Sequence, residues 1–450
     1  MKRRDFIKRF GSLVGGAVVL SCGSGGSGNG DSASSAPPLP NGYKFFRVAE
    51  SGGTMPDGTA AGDFSGSVKI SDNNDILFQA ADAGGIDGMY EYHMDFSGTE
   101  PGIASQRKIA RVGDTLNDGV VIGELKLGSP NKLGYYASLI TSADGIPSVY
   151  MEKEKSGLEP VAKALDKLPG NNGSFGASFG DIELDDTNSI VLVSHYSPKN
   201  GSQPKEGLFY LCGGMVSDAG RLLASSGDLL PESSTTVGRI GLVDIGKSSG
   251  EYVAQINCGI AVTQWSKGMA LRQMPVTALM GGSVHGAEPK RKLLAASLPI
   301  VLSRAAAKSA LRGDILYGPR IGSTGDKVAQ VVHTGEDMLS LYFDGREVSH
   351  VGGLSPADKV ITSFSGPAVA DSGLLYYLVY TEGGEELCAY NGVESKTILQ
   401  SGDKISEQDS KAVMSISFGV VRNMVDKDGR VVFMAVFEDT TKAIVVGIPL

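Results

Sequence analysis

The chain has 450 residues and a formal net charge of −9, with 41 lysines and arginines against 50 aspartates and glutamates. Nucleic-acid binding needs clustered positive charge, so the acidic balance and the lack of a basic stripe argue against a nucleic-acid partner. The 62 glycines are about twice the average share of ~7% and are scattered along the chain. This scatter is typical of many tight turns that join short strands.

Residues 1–21 predict an export signal. A basic start that contains Arg3 and Arg4 is followed by a short apolar run and then by Val19-Leu20-Ser21-Cys22. The run is too short for a spanning helix, which needs ~20 apolar residues, but the order of regions is that of a secretory signal. The arginine pair resembles a twin-arginine signal, and the last four residues resemble a lipobox with Cys22 as the lipidated residue. We therefore expect an exported, lipid-anchored protein on the periplasmic side of the membrane or at the cell surface.

Residues 22–42 are predicted to be a flexible tether. After Cys22 the sequence reads GSGGSGNGDSASSAPPLPN, and such small polar residues and prolines cannot bury a core. The remaining cysteines, Cys212, Cys258 and Cys388, are odd in number and far apart, so no disulfide framework is indicated.

Residues 43–450 contain an internal repeat. Each copy has an aliphatic residue, three small or polar residues, a Gly or Asn, any residue, and three apolar residues. Clear copies begin at Ile70, Leu184, Val369 and Val425, and weaker ones lie between them. The seven central residues are Asn74, Gly134, Asn188, Gly250, Gly325, Gly373 and Gly429. Each copy is typical of a turn with one left-handed residue that leads into a buried strand.

Three further marks recur in a fixed order in the repeats. A Gly-Asp or Gly-Gly loop lies before most central residues. A Phe beside a Gly comes between this loop and the central residue, and a strand that ends in Tyr comes after the turn. The loops are Gly113-Asp114, Gly227-Asp228, Gly352-Gly353 and Gly402-Asp403. Together with the central residues, these marks predict an all-β protein, a β-propeller of seven blades closed into one ring.

The repeat resembles bacterial tandem-repeat proteins with an NxxGxxAF-type signature. Asn131-Lys132-Leu133-Gly134-Tyr135-Tyr136-Ala137 keeps Asn, Gly and Ala at that spacing, whereas Ser71, Asp185, Ala370 or Asp426 replaces the leading Asn elsewhere. The resemblance covers about residues 44–450. It implies a β-propeller and brings no established activity with it.

A short helical insertion is predicted over about residues 272–312, where one interval between repeats is longest. The Ala-rich stretch 303–312 has Ser303 as a helix N-cap and Gly313 after its end. We expect the binding face in this insertion, which also holds Ser283 and His285. A histidine in such a loop usually lies at the surface without a further role.

Several short motifs match known sites without their structural context. Gly241–Ser248 matches a phosphate-binding loop, and Gly176-Ala177-Ser178-Phe179-Gly180 matches the elbow of serine hydrolases. Both motifs need a helix directly afterwards, and here a turn and a strand are expected instead. Arg312-Gly313-Asp314 spells an adhesion tripeptide, which we interpret as another Gly-Asp loop.

The sequence has few residues at the spacings that metal or cofactor sites need. The aspartates near Asp72, Asp186 and Asp428 lack the spacing of a calcium loop, and the five histidines have no metal-binding spacing. The sole tryptophan, Trp265, is expected to pack between blades rather than to bind a ligand. No cofactor is therefore predicted, and no catalytic set is identified.

Two functions remain open from the sequence. The favoured one is a binding or scaffold module whose partner is an envelope protein or a glycan, with the lipid anchor as the only membrane contact. The alternative is an envelope enzyme that acts on polysaccharide or holds a redox cofactor, with its site in the propeller channel.

Overall fold

The computed structural model describes residues 36–169, 173–214, 220–231, 235–263, 272–284, 291–297, 310–311, 314–322, 327–335, 338–406, 409–419 and 424–450. The predicted export residues Arg3 and Arg4 and the predicted lipidation residue Cys22 lie outside this part. Within it, strands form seven sheets, and the helical content that we describe is a single 3-10 turn, Cys212–Gly214. None of its helices has the length and apolar character needed to cross a membrane.

The first strand, β1 (Tyr43–Glu50), belongs to the last blade. Blade one consists of β2 (Ala61–Ile70), β3 (Asp75–Asp82), β4 (Asp87–Asp95) and β5 (Gly102–Arg111). Blade two consists of β6 (Ile122–Pro130), β7 (Tyr136–Ser142), β8 (Pro147–Glu152) and β9 (Leu158–Lys163). Blade three consists of β10 (Gly173–Leu184), β11 (Ile190–Pro198), β12 (Lys205–Leu211) and β13 (Arg221–Ser225).

Blade four has five strands, β14 (Arg239–Ile245), β15 (Glu251–Thr263), β16 (Arg272–Ser283), β17 (Arg291–Ser297) and β18 (Ala310–Leu311). Blade five consists of β19 (Asp314–Ile321), β20 (Val328–Gly335), β21 (Met338–Phe343) and β22 (Arg346–His350). Blade six consists of β23 (Ile361–Phe364), β24 (Ala368–Val369), β25 (Leu375–Thr381), β26 (Gly384–Tyr390) and β27 (Ser395–Gln400). Blade seven consists of β28 (Val413–Ser417), β29 (Val431–Phe437), β30 (Lys442–Pro449) and β1.

The ring is closed by pairing the two ends of the chain. β1 is antiparallel to β30, with a register that runs from Tyr43 opposite Pro449 to Glu50 opposite Ala443. The first strand thereby becomes the fourth strand of blade seven, and the prediction of a seven-bladed all-β propeller is confirmed.

The antiparallel order of the strands gives the ring two different faces. The turns between the first and second strands, and between the third and fourth, lie on one face, which we call the turn face. The turns between the second and third strands, and the loops from one blade to the next, lie on the opposite face, which we call the loop face. Because β1 runs from the turn face to the loop face, the chain before Tyr43 reaches the ring on the turn face.

The predicted repeat turns are the turns between the first and second strands. All the central residues that the structure describes have positive φ: Asn74, Gly134, Asn188, Gly250, Gly373 and Gly429. Gly325 lies outside the described residues. At Asn74, for example, the amide donates to the Ser71 carbonyl at 3.2 Å, and this closes the turn. The prediction of a left-handed residue is therefore confirmed at every central position that the structure describes.

The hydrophobic core is divided among the gaps between blades. Separate clusters of buried side chains join blades one and two, two and three, three and four, four and five, and five and six, and the largest joins blades six, seven and one. Each sheet thus buries both of its faces against neighbours.

The described residues of the range predicted to be a helical insertion form strands instead. Its first part is regular blade, because Arg272–Ser283 and Arg291–Ser297 are the third and fourth strands of blade four. Ala310–Leu311, within the expected helix, instead form a short parallel strand on β17. His285 and residues 303–309 lie outside the described residues.

Buried ion pairs also join blades one and two. Arg107 donates to Glu91 Oε2 at 2.6 Å and to Glu152 Oε1 at 2.8 Å, and both carboxylates are buried. Burial alone would raise the pKa of Glu91, but the hydrogen bonds from Arg107 and Lys155 outweigh it and hold that pKa below its ordinary value. The cluster therefore stabilises the fold while the carboxylate is charged.

We expect Arg107→Ala to lower the free energy of unfolding by about 3–5 kcal/mol at pH 7, because it leaves two buried carboxylates without their shared cation. The loss should shrink as the pH falls below about 4, where the carboxylates of the unfolded chain take up protons. Urea denaturation at several pH values measures this. Lys108→Ala is the matched control, since Lys108 and Asp114 form a partly exposed pair, and a surface pair contributes about 0–1 kcal/mol. An equal loss in both variants would contradict the assignment.

Candidate functional site

The turn-face end of the central channel is filled by charged side chains. Lys69, Glu183, Asp244 and Arg320, from the first strands of four blades, are buried there. Lys69 Nζ donates to Ser129 Oγ at 3.2 Å, and Ser129 Oγ donates to Glu183 Oε1 at 3.0 Å. Hydrogen bonds thus run across three neighbouring blades and tie their first strands together.

Lys247 lies across the same end of the channel. It belongs to the turn of blade four, and its amine donates to the carbonyl of Pro130 in blade two. Burial lowers the pKa of Lys247, while the nearby carboxylates of Glu183 and Asp72 act in the opposite direction. The residues of the phosphate-loop motif therefore form a strand and a turn, as the repeat predicts, and the lysine reaches a backbone carbonyl.

A small cavity of about 50 Å³ remains at this end, with Asp72, Lys247, Arg320 and Asp371 among the residues that line it. Burial raises the pKa of Asp72, and the charge of Asp371 adds to this shift against a hydrogen bond donated by the Lys427 amide. The cavity has room for a few water molecules.

The aspartates considered for calcium lie on separate turns. Asp72, Asp186 and Asp428 belong to the turns of blades one, three and seven. Asp72 Oδ1 accepts the Lys427 amide at 2.8 Å, and Asp186 Oδ1 accepts the Lys132 amide at 3.0 Å, so two of them link neighbouring blades. In the part of the chain that the structure describes, His, Cys, Asp and Glu form no group of three that could hold a metal ion.

The loop face is built from a loop that recurs between blades. In each described example the loop contains a residue of positive φ, whose amide donates to a carbonyl at or just before the start of the next blade's first strand. The Gly227 amide, for instance, donates to Val237 O at 2.7 Å, and Asp228 accepts the Ser225 amide at 3.0 Å. These bonds explain the Gly-Asp mark of the sequence. Asp314 is different, since it begins β19 itself. Gly313 lies outside the described residues, so the interpretation of Gly313-Asp314 as another such loop stays a prediction.

One of these loops carries leucine where the others carry glycine. Five loops place a glycine at the position of positive φ: Gly52, Gly113, Gly227, Gly352 and Gly402. In the loop between blades two and three the same position is Leu165, with a φ of 74° and a side chain 77% exposed. Its amide makes the equivalent bond, to Phe175 O at 3.1 Å. Leucine is strained in this conformation and gains no burial from it.

Other exposed aliphatic side chains accompany Leu165. Among the described residues, the loop face carries exposed large apolar side chains at Ile86, Val121, Ile146, Leu165, Leu229, Leu354 and Val360. We call these seven residues the apolar rim. The turn face carries Leu133, Val393 and the terminal Leu450, and Ile103 and Leu222 are exposed at the turn-face ends of β5 and β13. Among the described residues, the loop face therefore has more exposed large apolar side chains than the turn face.

The serine of the hydrolase-like motif lies beside a histidine. Ser178 belongs to β10, so no helix follows it and the hydrolase elbow is absent, as expected. However, Ser178 Oγ lies 2.7 Å from His195 Nδ1, and both side chains are exposed. In the described part of the chain no carboxylate bonds the other ring nitrogen.

Sequence reasoning missed two features of the loop face. Aligning the loops on their glycines would have shown Leu165 out of place, because the flanking residues keep the same order. The contact between Ser178 and His195 had no such signal, since it depends on an irregular register between β10 and β11. Trp265 and His285 lie outside the described residues, so their predicted roles stay predictions.

Comparisons with known proteins give structural matches alone. No family model and no curated protein matches the chain. The β-propeller domain of the Trilobed protease from Pyrococcus furiosus is 10% identical, with a TM-score of 0.45, over 86% of this chain and 94% of that one. A puromycin-hydrolysing peptidase from Mycobacterium tuberculosis is 13% identical, with a TM-score of 0.45, over 91% of this chain and 54% of that one. The Dos1 propeller is 11% identical, with a TM-score of 0.41, over 90% of this chain and 95% of that one.

We expect Leu165→Gly to raise the free energy of unfolding by about 1 kcal/mol, because glycine removes the strain at positive φ and the exposed leucine loses little burial. Urea denaturation of the two proteins measures the difference. Gly227→Leu is the matched change in the next loop and should lower stability by about 1–2 kcal/mol. A loss of stability in Leu165→Gly would show that the leucine side chain contributes to the fold.

Proposed function

We propose that the protein is an exported, lipid-anchored binding module of the cell envelope, and that the apolar rim on the loop face is its docking surface. The observation that carries the proposal is Leu165, which is both exposed and strained at a position where five equivalent loops have glycine. Folding alone gives no reason to keep such a residue, and backbone strain is concentrated at functional positions.

The chemistry of the rim favours a protein partner over a glycan. Its members are leucine, isoleucine and valine, whereas sugar rings are usually held by aromatic rings and by dense hydrogen bonding. Charges of both signs surround the rim, as in Asp166 beside Lys167 and the pair of Asp228 with Arg291 at 2.8 Å. An apolar centre with a mixed polar surround is the usual anatomy of a protein interface.

The position of the tether supports this orientation. The chain reaches the ring on the turn face, where Lys396 Nζ donates to Asn41 O at 2.6 Å and the Leu450 amide donates to Gly42 O at 2.9 Å. A lipid on Cys22 would then be joined to the turn face through the predicted tether. The loop face would be free to meet a partner on the side away from the attachment.

We expect the double variant Leu165→Asp, Leu229→Asp to bind its envelope partner at least ~10-fold more weakly, because two carboxylates replace apolar contacts at the centre of the surface. Saturable binding of the partner captured by the wild-type protein is the measurement. Leu133→Asp with Val393→Asp on the turn face is the control and should bind as the wild type does. Equal weakening in both double variants would contradict the placement of the surface.

We also expect Cys22→Ala to move the protein from the membrane fraction to the soluble fraction, since it removes the predicted lipidation residue. Fractionation of cells with detection of the protein tests this. Ser21→Ala keeps the small residue before the cysteine and should leave the protein in the membrane fraction. If the Cys22→Ala variant stays in the membrane fraction, the lipid anchor is refuted and the proposed role of the apolar rim is unaffected.

A further inference from the structure

The strongest chemical juxtaposition outside the apolar rim lies in blade three, where β10 bulges. The register pairs Phe175 with Tyr196 and then Phe179 with Ser194, so that 176–178 face the single residue His195. A bulge of this kind turns a side chain away from the regular pleat, and the first strand of blade one has one as well, where 65–67 face Gln79. The bulge brings the hydroxyl of Ser178 to 2.7 Å from His195 Nδ1.

Glycines on both sides of Ser178 make this approach possible. A Cβ on Gly176 would lie 3.0 Å from the His195 Cβ, and one on Gly180 would lie 3.3 Å from the Val193 Cβ. With larger residues, β10 would have to move away from β11 and the hydrogen bond would be lost. The two glycines also place no side chain two residues before or after the serine, which is exposed.

The pair lies on the side of blade three that faces blade four. His195 follows Val191 and Val193 on the side of β11 whose residues pack with Ile240 of blade four. Glu206 lies directly opposite His195 on β12, and its carboxylate accepts the Ile240 amide at 2.7 Å. The carboxylate thus joins blade four to blade three next to the histidine, while the serine and the imidazole are exposed.

We propose that Ser178 and His195 are a nucleophile and its base, and that the exposed surface around them, on the side of blade three that faces blade four, accepts a carboxylic ester. The neutral imidazole, with its proton on Nε2, accepts the hydroxyl proton of Ser178 at Nδ1. The serine oxygen then forms a bond to the carbonyl carbon, the bond from that carbon to the ester oxygen breaks, and the leaving alcohol takes the proton from Nδ1. Water repeats the sequence on the acyl serine and releases the acid, so no oxidant, metal or second substrate is needed.

The test is labelling of the full chain with a fluorophosphonate probe, followed by mass spectrometry of the peptides. The serine oxygen displaces fluoride from phosphorus, so that an activated serine becomes phosphonylated. We expect a single adduct on the peptide that contains Ser178, its loss in Ser178→Ala, and at least ~100-fold slower labelling in His195→Gln. Circular dichroism shows that each variant is folded.

Ser65→Ala is the matched control. Ser65 is an exposed serine on the first strand of blade one, and its hydroxyl donates to the Gln79 carbonyl at 3.3 Å instead of to a histidine. This variant should label as the wild type does. A folded wild-type chain without an adduct on Ser178, or a His195→Gln variant labelled as fast as the wild type, would overturn the proposal. Neither result bears on the apolar rim.

Discussion

The ladder between β1 and β30 is the interaction on which the arrangement of this protein depends. It builds the last blade from strands near both ends of the described chain. Because β1 pairs in blade seven and leads directly into blade one, this ladder holds the two blades together and closes the ring. It also places both ends of the described chain on the turn face, where the Leu450 amide meets the Gly42 carbonyl. The described loop face is therefore built from loops between strands, and the predicted tether would not obstruct it.

The two faces of the ring differ in the side chains that they carry. At the turn face, Lys69 and Arg320 are buried with Glu183 and Asp244, Lys247 lies beside them half-buried, and polar contacts join the blades at this end of the channel. Such contacts specify how neighbouring blades meet, because an unpaired charge in this position would be costly. The loop face is open and displays aliphatic side chains.

Much of the architecture could be predicted from the sequence because each blade repeats a local requirement. A left-handed residue is needed where the first strand turns into the second, so Asn74 and its equivalents mark the blades. The Phe-Gly mark has a similar cause in blades six and seven, since a Cβ on Gly366 would lie 2.2 Å from the Gly419 carbonyl oxygen. Requirements of this kind are local in the chain and therefore visible in it.

The rest depends on relations between distant residues. Lys247 and Pro130 meet across the channel, and Ser178 meets His195 only because β10 bulges. The helix expected near residues 303–312 was suggested by composition, but composition does not show that residues 310–311 pair with β17. The apolar rim became visible only once the antiparallel order had assigned each loop to a face.

Photo-cross-linking in living cells tests the central claim most directly, namely that the protein binds its partner through the loop face. A photoreactive amino acid would replace Leu229 or Leu354 on the loop face, and Leu133 or Val393 on the turn face. We predict one common cross-linked species from both loop-face positions and none from the turn face. Cross-links from the turn face alone, or equally from both faces, would contradict the account.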